Sequence, residues 1–296
     1  MSALSLPSPA KVNLFLAITG RRPDGYHDLV SVAAPLDWGD TLTVEERGGS
    51  FTIDCDVRGI PTDESNLVIK AAKAFAAETG WKGGARFGLT KRIPAGAGLG
   101  GASSNAVAAL RALNGLAGKP LEDTALARLA SGIGSDCALF FPGQPVVMRG
   151  RGERVELLAG PAADRLRGTR IVVFKPAFAI STTWAYARLA ENPSNYLAAV
   201  EAEDRLAAWA APAGGDAGRL LFNSMEKPAF AKFPALPLLL ATVRERFGVA
   251  AGMSGSGSAC FALPADGVNS DPIAEAVREA WGPSALFVDT RIARGG

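Results

Sequence analysis

Polar and apolar residues alternate at the start of the chain and later recur every three or four positions, so strands are expected first and a mixture of helices and strands after them. In residues 10–18, Val12, Leu14, Leu16 and Ile18 fall on one face of an extended segment, with Lys11, Asn13 and Phe15 on the other. A turn is predicted at residues 21–25, RRPDG, with further extended segments over 29–35 and 41–45. Val68, Ala71, Ala72 and Phe75 are spaced as a helix over 66–79, with Ser65 before it as the capping residue and Gly80 after it as the stop. A short strand over 87–93 then runs into a glycine-rich stretch. Ala106, Leu110, Leu113 and Ala117 form the stripe of a second helix, and a third is expected over 121–130.

The texture changes after residues 149–152. Strands over 171–175 and 285–289, helices near 182–190, 237–247 and 272–280, and a hairpin through MSGSGSACFAL at 253–263 read as a separate α+β layer. The expectation is two domains, 1–155 and 156–296, with 211–218, APAGGDAG, as a flexible surface loop.

Composition narrows the function. Hydrophobic residues at 48% and charged residues at 20% describe an ordinary globular chain. The net charge of +2 carries no footprint for a nucleic-acid partner, and no apolar run reaches membrane-spanning length. The start of the chain does not read as a signal peptide, and three scattered cysteines fit a reducing compartment, so a cytoplasmic protein is expected with no obligate protein partner in evidence. A single histidine, His27, leaves acid–base work to carboxylates or lysine.

The stretch from Pro94 to Asn105, PAGAGLGGASSN, carries the candidate chemistry. Glycines opening a helix bring backbone N–H groups to the positive end of its dipole, which suits a phosphate. Gly96, Gly98 and Gly101 satisfy the dinucleotide fingerprint, but the acids that would complete it, Glu122 and Asp123, follow Pro120 and read as a helix start instead. The Walker pattern fails because Gly118 and Lys119 are followed by proline, and the partner motifs of protein kinases are absent. Two readings stay open: a triphosphate cradle in which Ser103 or Ser104 helps to hold Mg²⁺, or a capping serine over a glycine turn.

Three stretches in order, PAKVNLFL at 9–16, PAGAGLGGASSNA at 94–106 and MSGSGSACF at 253–261, resemble the motifs of the GHMP kinases, which phosphorylate small molecules with ATP. GRRPDGYHDL at 20–29 and IGSDCALFF at 133–141 are similar to the branch whose alcohol substrate carries cytidine. The resemblance covers nearly the whole chain. It implies an α+β fold of two domains, the first like domain 2 of ribosomal protein S5 and the second ferredoxin-like, with the active site between them.

It also implies roles. Asp136 is the expected base, the competing reading being a helix cap. Lys11 is expected to support the attacking oxygen, with Asn13 on the same strand face. ATP is expected on Asn66, Pro94, Gly96, Gly98, Leu99, Gly100, Gly101, Ser103 and Ser104, with Mg²⁺ as cofactor. The small-molecule substrate is expected on Asn13, Tyr26, His27, Tyr186, Gly255 and Gly257, where structural roles for the histidine, the tyrosine and the hairpin glycines compete. A sister kinase for mevalonate, homoserine or a sugar, or a nucleotide-binding module without turnover, are the alternatives. Where the family has Asn-Asp, an apolar residue and Glu, this chain has Asn223, Ser224, Met225 and Glu226, and Ser224 is expected to serve as an equivalent helix cap.

Overall fold

A computed structural model describes residues 3–295. They form two compact units of interleaved segments, residues up to Ala10 with Trp38–Ala95 and Gly100–Phe141 in the first, and Lys11–Asp37, Gly96–Leu99 and Pro142 onward in the second.

Two long strands open the chain, β1 at Leu4–Arg21 and β2 at His27–Gly48. Both outrun the segments predicted for them. The polar run Asp37 to Asp40 breaks the alternation in sequence, yet β2 passes straight through it, because Gly39 lets its backbone lie against β1. A Cβ at Gly39 would sit 2.6 Å from Pro9 Cα. In the first unit the later half of β2 pairs antiparallel with β4, Gly83–Thr90, and β3, Phe51–Cys55, pairs parallel with β4.

Helices α1, Leu67–Thr79, α2, Gly101–Leu116, and α3, Asp123–Ile133, complete this unit. The buried face of α1 is Val68, Ile69, Ala71, Ala72 and Phe75, and Gly80 ends it at φ +69°. Its cap is Asn66 and not Ser65: Asn66 Oδ1 accepts from Val68 N at 2.9 Å, while the Ser65 hydroxyl is engaged by Asp63. Glu122 and Asp123 open α3, where their charge suits the dipole.

The second unit adds β5, Val146–Gly150, which pairs with the early half of β2 and with β6, Arg154–Leu157. After α4, Gly160–Asp164, comes β7, Arg170–Lys175, then α5, Thr182–Ala190, and α6, Ala199–Ala210. A two-residue strand β8, Phe222–Asn223, pairs parallel with β1 through Phe15↔Phe222 and Leu16↔Asn223. It is followed by α7, Glu226–Lys232, α8, Ala235–Phe247, β9, Ala250–Met253, β10, Cys260–Leu263, α9, Asp271–Trp281, and β11, Leu286–Arg291. The strand order β11-β7-β10-β9, antiparallel throughout, is the ferredoxin-like arrangement expected for the later part of the chain.

Helix α6 was not anticipated, although Ala202, Leu206 and Trp209 mark its buried face at helical spacing. Nor is 211–218 a free loop. The Arg165 guanidinium donates to the carbonyls of Trp209, Ala211 and Pro212, and the Trp209 indole N–H donates to Asp216 O at 2.9 Å. The Arg165 ties come from a residue distant in sequence, which local composition does not reveal. Among the described residues, no helix is long and apolar enough to cross a membrane.

Phe75 is fully buried and meets the Trp81 ring edge-on at 6.1 Å. Phe75→Ala is expected to cost about 3–5 kcal/mol, read from urea unfolding followed by tryptophan fluorescence. A loss below about 1 kcal/mol would show that this core re-packs freely.

Candidate active site

The backbone between Pro94 and Gly101 turns on glycines. Gly96, Gly98 and Gly100 take φ of +61°, +76° and +72°, a region costly for any residue with a side chain. Space forbids one as well: a Cβ at Gly96 would lie 2.8 Å from the Ala179 Cβ, and one at Gly98 would collide with the carbonyl oxygen of Ser254. Leu99 is buried, and its carbonyl accepts the Lys11 backbone N–H at 2.9 Å.

In the first unit, Gly100 is the cap residue of α2 and offers no side-chain acceptor to the amides at the helix start. Ser103 and Ser104 lie inside the first turns, so the capping-serine reading of this stretch is overturned. The two serines differ. Ser103 neighbours the thiol of Cys137, which burial pushes up to about 12, the Ser103 hydroxyl opposing the rise and the Asp136 charge adding to it. The Ser104 hydroxyl is buried and, among the described residues, makes no hydrogen bond. An orphaned hydroxyl beneath uncapped amides is a ready partner for a phosphate oxygen or a cation.

A buried network fixes the approach to this turn. The Asp40 carboxylate accepts from the backbone N–H groups of Arg92 and Ile93 at 2.7 and 2.8 Å, from Asn105 Nδ2 at 2.9 Å and from the Lys91 ammonium. Asn105 Nδ2 also donates to Ser8 Oγ at 2.7 Å. Sequence reasoning missed Asp40 and Lys91, whose only signal was a charged pair flanking otherwise apolar strands. Asn66 sits at its cap, with Nδ2 donating to Pro61 O at 2.6 Å. Asp136 lies in the turn that leads to a short 3₁₀ segment, Ala138–Phe140, whose cap is Cys137. It therefore does not hold the cap position that its competing reading gave it.

In the second unit, Lys11 and Asn13 are both buried and joined, Lys11 Nζ donating to Asn13 Oδ1 at 2.5 Å. Asn13 Nδ2 donates to Ser31 Oγ at 2.9 Å, which orients the amide. Ser254 Oγ accepts the Asn13 backbone N–H at 3.2 Å and donates to Gly98 O at 3.0 Å. Gly255 and Gly257 take φ of +56° and +79°, and a Cβ on Gly255 would fall 3.3 Å from Asn13 Oδ1. Lys11, Asn13, Gly98 and the hairpin loop thus form one contiguous group.

The aromatic residues gather separately. The His27 ring lies 4.9 Å from that of Tyr186 and 5.9 Å from that of Tyr196, whose hydroxyl is 3.2 Å from His27 Nε2. Tyr26 is half exposed, with the Arg151 guanidinium 4.8 Å above its ring. All three tyrosines of the chain therefore stand at or beside its one histidine. Tyr196 and Arg151 were not anticipated; the scarcity of tyrosine was the only hint. Burial, and to a lesser degree the charge of Arg21, lowers the His27 pKa below its ordinary value, so the imidazole is neutral near neutral pH.

Models described as the GHMP kinases N terminal domain and GHMP kinases C terminal match residues 66–144 and 207–283. The chain belongs to the GHMP kinase family. It is 37% identical over 281 residues to a 4-diphosphocytidyl-2-C-methyl-D-erythritol kinase of Chloroherpeton thalassium, covering 94% of both chains. To the protein of that name from Protochlamydia amoebophila it is 37% identical over 268 residues, covering 89% of this chain and 85% of the relative. A crystal structure of 4-(cytidine 5'-diphospho)-2C-methyl-D-erythritol kinase aligns with a TM-score of 0.77 at 35% identity, over 99% of this chain and all of the other. The glycine turn thus belongs to a kinase family whose motifs span both units.

Two outcomes test this geometry. The His27 ring protons are expected to titrate in NMR with a midpoint below about 6.5. Because the folded pKa is depressed, the stability linked to this ring is complete above the ordinary value and is lost as pH falls through the folded one; a midpoint above the ordinary value would contradict the burial. Gly98→Ala is expected to destabilise by about 1–3 kcal/mol. Gly115→Ala, in open space within α2, is expected to stabilise by up to about 1 kcal/mol. Equal effects in denaturant unfolding would mean that Gly98 has room after all.

Proposed function

We propose that this chain transfers the γ-phosphoryl group of ATP to the 2-hydroxyl of 4-diphosphocytidyl-2-C-methyl-D-erythritol, a step in non-mevalonate isoprenoid precursor synthesis. The observation that carries the reading is near-full-length similarity to kinases named for that substrate. The histidine–tyrosine cluster supports it, since flat rings with a polar edge suit a cytosine and have no purpose in a site for mevalonate, homoserine or a simple sugar.

Asp136 accepts the hydroxyl proton as the oxygen forms its bond to the γ-phosphorus and the bond to the bridging oxygen of ADP breaks. Lys11 stabilises the charge on the attacking oxygen, and its tether to Asn13 holds the ammonium in place. The backbone from Pro94 to Gly101 and the start of α2 take the triphosphate, and Asn66, at the entry to α1, takes the adenine. Tyr26, His27 and Tyr186, joined by Tyr196, take the cytosine, while Gly255 and Gly257 offer backbone amides to the substrate's diphosphate.

The donor set also fits Mg²⁺. No group of three or more His, Cys, Asp or Glu side chains among the described residues can cage a cation, and Mg²⁺ with nucleotides is held largely by phosphate oxygens, water and one or two protein oxygens. The orphaned Ser104 hydroxyl supplies such an oxygen. Bound there, the ion would neutralise phosphate charge.

Asp136→Asn is expected to lower turnover by about 10²–10⁴-fold in a coupled ADP-release assay while ATP binding by calorimetry persists. Unchanged turnover would remove Asp136 from the role of base. In the same assay, with mevalonate, homoserine and galactose as competing alcohols, faster phosphorylation of any of them would displace the diphosphocytidyl alcohol as substrate.

A further inference from the structure

The segment Asn223 to Glu226 grips one short piece of backbone with both of its ends. Asn223 Nδ2 donates to Met253 O and to Gly255 O, each at 2.8 Å, while its Oδ1 accepts Met225 N at 2.8 Å. Glu226 Oε1 accepts Met253 N at 2.9 Å. Ser224 is not the helix cap its type suggested. Its backbone N–H donates to Leu16 O at 2.8 Å and its hydroxyl accepts Ile18 N at 3.0 Å, so it fastens this segment to β1, and Met225 takes the cap position.

The gripped backbone leads directly to the reacting groups. Ser254, between the two carbonyls held by Asn223, is the residue whose hydroxyl bridges Asn13 N and Gly98 O, and Ala259 N donates to Ala97 O at 3.1 Å. Asn13 in turn holds the Lys11 ammonium. One planar amide satisfies two buried carbonyls and one backbone donor at once. A carboxylate of the same shape keeps the acceptor but turns an oxygen toward two carbonyl oxygens.

We propose that Asn223 and Glu226 are positioning residues for phosphoryl transfer. They fix residues 253–255, and through Ser254 they set the register of Lys11, Asn13 and the Gly98 carbonyl. This rests on the kinase reading but not on the identity of the alcohol. Burial raises the Glu226 carboxyl above its ordinary value, against the opposing pull of the Met253 N–H and of Arg244, so glutamine is the conservative replacement there.

The experiment uses the full chain with Asn223→Asp, Glu226→Ala and Glu226→Gln. Asn223→Asp is expected to lower kcat per nucleotide-binding molecule by about a hundredfold, the scale of a catalytic group displaced by an ångström, with little change in the KM for ATP. Glu226→Ala is expected to lose turnover that Glu226→Gln largely retains, and it stands in for Asn223→Asp should that variant fail to fold. The second readout needs no turnover: amide hydrogen exchange at Asn13 and Ala259 quickens in Asn223→Asp and in Glu226→Ala, while the amides of β7 keep their protection. Wild-type kcat in the folded fraction, or unchanged exchange at Asn13, overturns the proposal. A wild-type chain that phosphorylates a different alcohol refutes only the substrate reading, because the kcat ratio is then measured on that alcohol. One that phosphorylates nothing refutes the kinase reading and leaves exchange at Asn13 to decide the linkage from Asn223.

Discussion

Everything at the candidate site depends on how closely two stretches of bare backbone approach each other at Gly98. The Ser254 carbonyl occupies the space where a side chain on Gly98 would stand, and the Ser254 hydroxyl donates to the Gly98 carbonyl. With no side chain between them, the hydrogen bonds that set the turn run from backbone or a single hydroxyl. Lys11 N to Leu99 O, Ala259 N to Ala97 O and Ile180 N to Gly96 O fasten three positions of the same turn. A loop pinned at so many points holds its remaining amides in fixed directions, which is the preorganisation that anion binding rewards.

Polar groups buried around this turn are satisfied in chains. Asp40, with four donors on two oxygens, anchors the residues that enter the turn, and Asn13, Ser31 and Ser254 form a comparable run in the second unit. Such networks stabilise only when complete, because each unmatched partner carries its own desolvation penalty. Against that background the buried Ser104 hydroxyl stands out, making no hydrogen bond among the described residues.

The aromatic cluster uses different physics. His27, Tyr186 and Tyr196 meet as rings with tilted planes, and neutral imidazole is favoured by burial and by Arg21. A neutral ring with one donor and one acceptor nitrogen can read the edge of a neutral base, which a charged ring cannot do in both senses. Charge is instead carried by Lys11 and by the guanidinium over Tyr26.

The chain's own pattern determined a β-rich start, the helices over 66–79 and after the glycine run, and a separate α+β layer in the later part, while the ferredoxin-like order and the aspartate came from the likeness of its motifs to a family. Those elements rest on local properties: side-chain periodicity, the φ freedom of glycine and the reach of a capping side chain all act over a few residues. What only the tertiary structure decided is which groups meet. Asn66 displaced Ser65 as a cap, Tyr196 joined His27 from far along the chain, Arg165 tied down a loop that composition left free, and Asn223 with Glu226 took hold of Met253. Partners separated by tens or hundreds of residues are chosen by packing and by the demand that buried polar atoms be matched, and neither leaves a periodic trace in sequence.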